Sequence, residues 1–260
     1  MLSERRLPVR VVKLGGNELD RPGWLDAWAA RVAAARTPVV VVHGGGRAIS
    51  DLSERLGLPV EQRDGLRVTT PDVAAAVEMS LAGPVNRQVV AALRRASVDA
   101  LGLAGVDGGL LTAELLDAAL GRVGRVVAVR SSLLESLLLA GLTPVVAPMA
   151  PDPSGDGVPL NVNADDAAAA VAGALGAAEL LLVSDVAAVR IGGTWRATLN
   201  LAEVPGLVAD GSVTRGMVAK VRAAAAALAA GARAVRIGGP EMLDSPTAGT
   251  RIVGAAARAA

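Results

Sequence analysis

Two lysines, Lys13 and Lys220, stand in a chain that otherwise meets its need for positive charge with arginine: of 26 basic residues, the other 24 are Arg. A guanidinium suits forked hydrogen bonding, whereas an ammonium is a compact point charge that fits against a small, crowded anion. Lysine kept at only two places points to such an anion, with chance retention the alternative for either one alone. Lys13 precedes Gly15-Gly16, and a second glycine run, Gly44-Gly45-Gly46, follows four consecutive valines, Val39 to Val42. Glycines leave backbone N–H groups open to close approach, and Ile49, Leu52 and Leu56 spell a helix whose N-terminal N–H groups point back at the second loop. Strand, loop and helix N-terminus together make a cradle for an oxyanion or phosphate. A tight strand-to-helix turn with no ligand is the plainer alternative. Neither loop has the spacing of a P-loop or of a dinucleotide fingerprint.

Three further features carry polar chemistry. Arg67 follows Asp64-Gly65, a type I′ turn signal, so it sits on a short strand arching over the sheet edge; it either binds a carboxylate through its fork of donors or is simply solvated. Asn161-Val162-Asn163-Ala164-Asp165-Asp166 opens an alanine-rich helix, and four short polar groups exceed what one helix cap uses. His43 is the only histidine. Formal net charge is +1, so no strong field draws nucleic acid or an anionic membrane. Cysteine, Phe and Tyr are absent, which excludes disulfides and thiolate metal sites and leaves three tryptophans for any stacking. No apolar run reads as a leader or a membrane span, so a cytoplasmic protein is expected.

The elements that must position these groups read as β-α-β-α, which implies a parallel sheet with right-handed crossovers and ligands at the carboxyl ends of its strands. Val9 to Leu14, the Pro38 strand, Val98 to Leu103, Thr143 to Ala147, Leu180 to Val183 and Ala234 to Ile237 are the expected strands, with Ile252-Val253 at an edge. Trp24 to Arg36 is a helix with Trp24, Trp28 and Val32 on its packing stripe, and Gly192-Gly193 turns a hairpin. Pro71 to Ala96 reads as two helices whose stripes, Val73, Val77, Leu81 and Val85, Val89, Leu93, offer more apolar surface than one sheet face covers. Pro148 to Pro159, rich in Pro, Gly and Asp, is the expected linker.

In this order, Lys13-Leu14-Gly15-Gly16, His43-Gly44-Gly45-Gly46, Gly65-Leu66-Arg67-Val68-Thr69, Asn161-Val162-Asn163-Ala164-Asp165, Ser184-Asp185-Val186, Gly216-Met217-Val218-Ala219-Lys220 and Gly249-Thr250 resemble the acetylglutamate kinases of the amino acid kinase superfamily, over nearly the whole chain. The resemblance implies a three-layer αβα sandwich with a central, mainly parallel sheet in two lobes. Residues 1–157 would bind the acyl acceptor and dimerise, and residues 158–260 would bind ATP. It implies transfer of the γ-phosphoryl group of MgATP to the side-chain carboxylate of N-acetyl-L-glutamate, an arginine biosynthesis step. On the matching positions, Lys13 and Lys220 would stabilise the phosphoryl group in flight and Asp165 would position them. Gly45, Gly46, Arg67 and Asn161 would hold the acceptor. Gly15, Gly16, Asp185, Val186, Ala187, Ala188, Val189, Arg190, Ser212, Val213 and Thr214 would line the nucleotide site. Mg²⁺ would ride on the phosphates, with no metal site in the protein itself. The chain departs from the family pattern at Ala188 and Arg215. The short segment before the first strand implies an arginine-insensitive homodimer whose lobes close by a hinge in Pro148 to Pro159.

The chemistry agrees with the residues. A carboxylate attacking a phosphate must overcome the repulsion of two anions, and alignment with neutralisation is most of the catalytic task. The nucleophile is already ionised at neutral pH, so no general base is needed and His43 is read as a structural part of its loop. The alternatives are a kinase of carrier-bound aminoadipate or glutamate, of carbamate or of UMP, and a non-catalytic ligand-binding regulator of the same fold. A dinucleotide-dependent oxidoreductase lacks its fingerprint.

Overall fold

The computed structural model describes residues 8–152, 155–213 and 215–254, and it places the valine run on an interior strand buried along its full length. Eight strands form the main sheet: β1 (Arg10–Leu14), β2 (Val39–His43), β3 (Ala100–Ala104), β4 (Thr143–Ala147), β5 (Glu179–Val183), β6 (Thr198–Asn200), β7 (Val235–Gly238) and β8 (Thr250–Val253). Their order across the sheet is β6-β8-β7-β5-β1-β2-β4-β3. The strands from β7 to β3 are parallel, while β8 runs against β7 and carries β6 alongside in its own direction.

Helices cover both faces, as the near-continuous apolar strands require. The principal ones are α1 (Trp24–Ala35), α2 (Gly46–Arg55), α3 (Pro71–Ser80), α4 (Asn86–Arg95), α5 (Ser131–Leu139), α6 (Ala164–Leu175) and α7 (Arg215–Ala229). Side chains alternate along each strand. Val12 and Leu14 of β1, with Val39 and Val41 of β2, meet Trp28 of α1 and Val89 and Leu93 of α4. Val11, Val40 and Val42 face the opposite layer, with Leu134 of α5, Val171 of α6 and Val221 of α7. Each such side chain, once fully buried, contributes about 1.5–3 kcal/mol. Without Phe or Tyr, close approach of small residues replaces bulk: a Cβ on Gly173 of α6 would collide with Ala230, just past α7. This is the expected three-layer αβα sandwich with a mainly parallel sheet.

A second, four-stranded sheet stands beside the first, in the order Leu111–Leu115, Val123–Val129, Leu160–Val162, Met149–Ala150. Leu160–Val162 pairs in parallel with Val123 and Gly124 and antiparallel with Met149 and Ala150. The expected linker is therefore anchored at both ends, and Arg122 holds its acids Asp152 and Asp156 as well. The Asp64-Gly65 turn has both residues at positive φ, 51° and 81°, as a type I′ turn requires.

Two readings are corrected. Ile252 and Val253 do not lie at an edge: β8 is flanked by β7 and by β6, whose three residues are too few to show a pattern. The stripes of α3 and α4 are not surplus surface either. All six named side chains are at most 4% exposed, because a kink at Gly83-Pro84 lets α3 pack on Ile49, Ala147 and Met149 while α4 packs on the main sheet. The large apolar side chain that α3 does expose is Met79. Among the described residues no helix is long and apolar enough to cross a membrane.

Candidate active site

Alternation on β1 sends Lys13 to the same face as Val11, toward the N-terminus of α6. There the Asn163 side chain caps the helix, accepting from the N–H groups of Asp165 at 2.9 Å and Asp166 at 3.2 Å. The cap fixes Asp165 in the first turn, and its carboxylate sits between two ammonium groups: Lys13 Nζ is 2.9 Å from Oδ1, and Lys220 Nζ, from the first turns of α7, is 3.7 Å from Oδ2. Burial alone would raise the Asp165 pKa. The charges of Lys13 and Lys220 outweigh it and hold the carboxyl below its ordinary value. Burial, helped by repulsion from Lys13, pushes the Lys220 ammonium down, against the pull of Asp165, Glu18 and Asp185.

A cavity of about 190 Å³ opens beside Lys13, lined by both glycine loops, Arg67 and Asn161. The loops touch: Gly44 N–H donates to Leu14 O at 2.9 Å, and a Cβ on Gly16 would lie 2.5 Å from Gly46 N, so only glycine fits at Gly16. Arg67 is 8% exposed and donates through one terminal nitrogen to Gly46 O at 3.0 Å and to Ser50 Oγ at 2.8 Å. Its other terminal nitrogen is buried without a hydrogen-bond partner. Burial lowers the guanidinium pKa, yet arginine keeps its proton, so the cavity wall holds a cation with donors to spare. Asn161 donates to Thr69 Oγ1 at 3.2 Å, and Thr69 in turn donates to Arg67 O at 2.8 Å, which ties the two walls together.

The expected nucleotide residues are placed less uniformly. Gly15 and Gly16 follow Lys13 at the carboxyl end of β1, and Asp185 follows β5, accepting from Ser184 Oγ at 3.0 Å. Val186 and Ala187 line a separate cavity with Trp24, Trp28 and Glu241. Val189 is buried and its N–H donates to Thr250 Oγ1 at 2.8 Å, so neither is offered to a ligand. Arg190 is exposed and lies 5.6 Å over the Trp195 ring across the Gly192-Gly193 hairpin. Ser212 N–H is taken by Asp210 Oδ1 at 2.9 Å and Val213 N–H by Leu207 O at 3.0 Å. Thr214 and the Arg215 side chain lie outside the described residues.

The sequence from residue 8 to 239 matches the model of the amino acid kinase family. The chain belongs to that family. It is 47% identical over 232 residues to an acetylglutamate kinase of Chloroflexus aurantiacus, covering 88% of this chain and 91% of the relative. The smu.665 protein of Streptococcus mutans superposes with a TM-score of 0.81 at 31% identity, over 95% of this chain and 98% of that one. A carbamate kinase from Giardia lamblia bound to AMP-PNP shares the fold at a TM-score of 0.75 and 17% identity, over 95% and 99% of the two chains.

The fold bears out His43 as a structural part of its loop and also engages two residues that sequence reasoning passed over, Asn86 and Arg222. His43 does not line the cavity beside Lys13: it is fully buried on the α4 side, between Gly44 O at 3.2 Å from Nδ1 and Asn86 Nδ2 at 3.0 Å from Nε2. Asn86 also donates to Val145 O at 2.9 Å, so Nε2 is the accepting nitrogen and Nδ1–H the donating one. Burial holds the His43 pKa down to about 4, with Gly44 O opposing, and the ring is neutral at physiological pH. Beside Asp165, Asp166 accepts from Arg222 of α7 at 3.2 Å, a second clamp between α6 and α7. Burial raises the Asp166 pKa and Arg222 counters it. Asn86 and Arg222 carry no local signal; only folding brings them to these partners.

Proposed function

We propose that this chain is an ATP-dependent kinase that phosphorylates the side-chain carboxylate of N-acetyl-L-glutamate, giving N-acetyl-L-glutamyl 5-phosphate in arginine biosynthesis. The observation that carries this reading is one small cavity lined by both Lys13 and the half-satisfied Arg67 guanidinium. A dicarboxylate fits that arrangement. Its α-carboxylate takes the unused donors of Arg67, which is the geometry guanidinium favours. Asn161 and the N–H groups of Gly45 and Gly46 hold the rest, and the side-chain carboxylate comes to lie beside Lys13.

The carboxylate oxygen attacks the γ-phosphorus, the bond to the bridging oxygen breaks, and ADP leaves; no proton need be removed. Lys13 and Lys220 offset the charge that spreads over the transferred phosphoryl group, and Asp165 keeps both ammonium groups charged and in place. Gly15, Gly16, the Asp185 to Arg190 stretch and Ser212 to Thr214 are read as the nucleotide side, with Mg²⁺ carried on the phosphates. In the same reading residues 1–157 are the acceptor-binding lobe and 158–260 the ATP-binding lobe. A homodimer is proposed through the face with exposed Met79 and the open edge of β3, where Leu101 is partly exposed.

An assay of ADP release with N-acetylglutamate, glutamate and aminoadipate tests the acceptor. N-acetylglutamate should be used in strong preference. Preference for aminoadipate, or release of ADP with none of them, would overturn the reading, and sedimentation velocity decides the dimer separately.

A further inference from the structure

Glu18 has no part in the reading above. It lies in the helical turn Gly16–Leu19 just after Lys13, it is 4% exposed, and its carboxylate folds back over the glycine loop so that a Cβ on Gly15 would collide with Oε2. Oε2 is closed off from solvent and accepts no hydrogen bond. A buried carboxylate oxygen with no donor is strongly unfavourable unless a cation attends it.

The cations nearby are already committed. Lys13 is 2.9 Å from Asp165. Lys220 feels the charge of Glu18, but its nearest acid is also Asp165, at 3.7 Å. Asp185 acts on Lys220 from the same region, yet it has the Ser184 hydroxyl as a donor; the unbonded Asp165 Oδ1 still has Lys13 as its ion-pair partner, so the buried acid with neither is Glu18. Both substrates bring negative charge to this end of β1. An uncompensated acid there would repel them, which slows the reaction unless another cation enters with them.

Carboxylate oxygens are what Mg²⁺ adds to phosphate oxygens and waters. Among the described residues no three acidic or imidazole groups converge to hold an ion by themselves, so the ion would arrive on the nucleotide and find one oxygen waiting. We propose that Glu18 is a protein ligand, direct or through one water, for the divalent ion of MgATP. This rests on the reading of the cleft as an ATP site.

Calorimetric titration of the full chain with ATP, in excess Mg²⁺ and again in EDTA, tests it on the wild type and on Glu18→Gln, which keeps the volume and removes the charge. The variant should bind MgATP at least about tenfold more weakly. Metal-free ATP should bind it as well as, or better than, the wild type. The electron paramagnetic resonance spectrum of bound MnATP should differ between the two proteins. Equal weakening with and without metal would make Glu18 a structural brace of its loop and overturn the proposal. Tightening in both conditions would mean simple repulsion and overturn it as well. If Glu18→Gln does not fold, Glu18→Asp must retain the metal dependence, and its loss there would be equally fatal. A wild type that binds neither form would bring down the ATP reading itself, a result distinct from any behaviour of the variants.

Discussion

The sides of the site proposed for acceptor and for nucleotide are built differently. On the proposed acceptor side the anchors are tied to one another, with Arg67 and Thr69 buried: Arg67 to Gly46 and Ser50, Asn161 to Thr69, Thr69 to Arg67, and Gly16 against Gly46. On the nucleotide side the hairpin Val189–Ile191 with Thr194–Arg196 forms its own two-stranded sheet, and its Arg190 and Trp195 are exposed. Asp165 spans both, close to Lys13 and more loosely related to Lys220. A pocket held by mutual hydrogen bonds is pre-organised for one small acceptor, whereas loops with solvent-facing partners adjust to a larger ligand at little cost.

The largest expected effect breaks the tight half of that contrast. Lys13→Arg should lower kcat by at least two orders of magnitude, about 3 kcal/mol, because a guanidinium does not fit a buried ammonium site facing a phosphoryl group. Lys220→Arg should lose less, since its tether is longer; equal losses in steady-state kinetics would erase the contrast. Next comes acid. His43 has a folded pKa near 4 and an ordinary value of 6.5. Between those values the unfolded chain binds more protons, so stability falls as pH drops from 6.5 toward 4, by about 3 kcal/mol in all. Urea unfolding at several pH values should show this slope, and His43→Gln should flatten it.

A smaller effect sharpens the comparison at the substrate level. Arg67→Lys should raise the KM for N-acetylglutamate about tenfold, near 1.4 kcal/mol, and leave the KM for ATP alone. A matched rise in both would mean that Arg67 shapes the cleft as a whole. The smallest effect belongs to the exposed hairpin, where Trp195→Ala should change the KM for ATP by less than about threefold, with no change for the acceptor, as expected for a surface cation–π contact.

What was legible in the sequence follows the same division. Lys13, the glycine loops and the parallel sheet could be read because they depend on local signals, residue type and β-branched runs beside loop signals. A cap somewhere within Asn161 to Asp166 and the Asp64-Gly65 turn were legible for the same reason; that Asn163 is the cap came from the structure. Glu18 was not, since nothing local says that its side chain turns back over Gly15. Asn86 reads as an ordinary helix residue until β2 brings His43 to it. The stripes of α3 and α4 misled because composition shows that a face is apolar and not which neighbour covers it. The three residues of β6 join the sheet only because β8 is there to pair with them.

The close fit of the glycine loops has a consequence for substrate range. Gly16 meets Gly46, and a Cβ on Gly45 would lie 2.7 Å from a methyl group of Leu81, so neither loop can yield space by substitution. In the proposed reading the remaining apolar wall, which includes Ile49, Leu66, Leu81, Val123, Pro148 and Val162, therefore sets how long an acceptor chain the cavity admits. Shortening Leu81 would be one route by which evolution, or a protein engineer, could lengthen the acceptor by a methylene while leaving every charged group of the site where it stands.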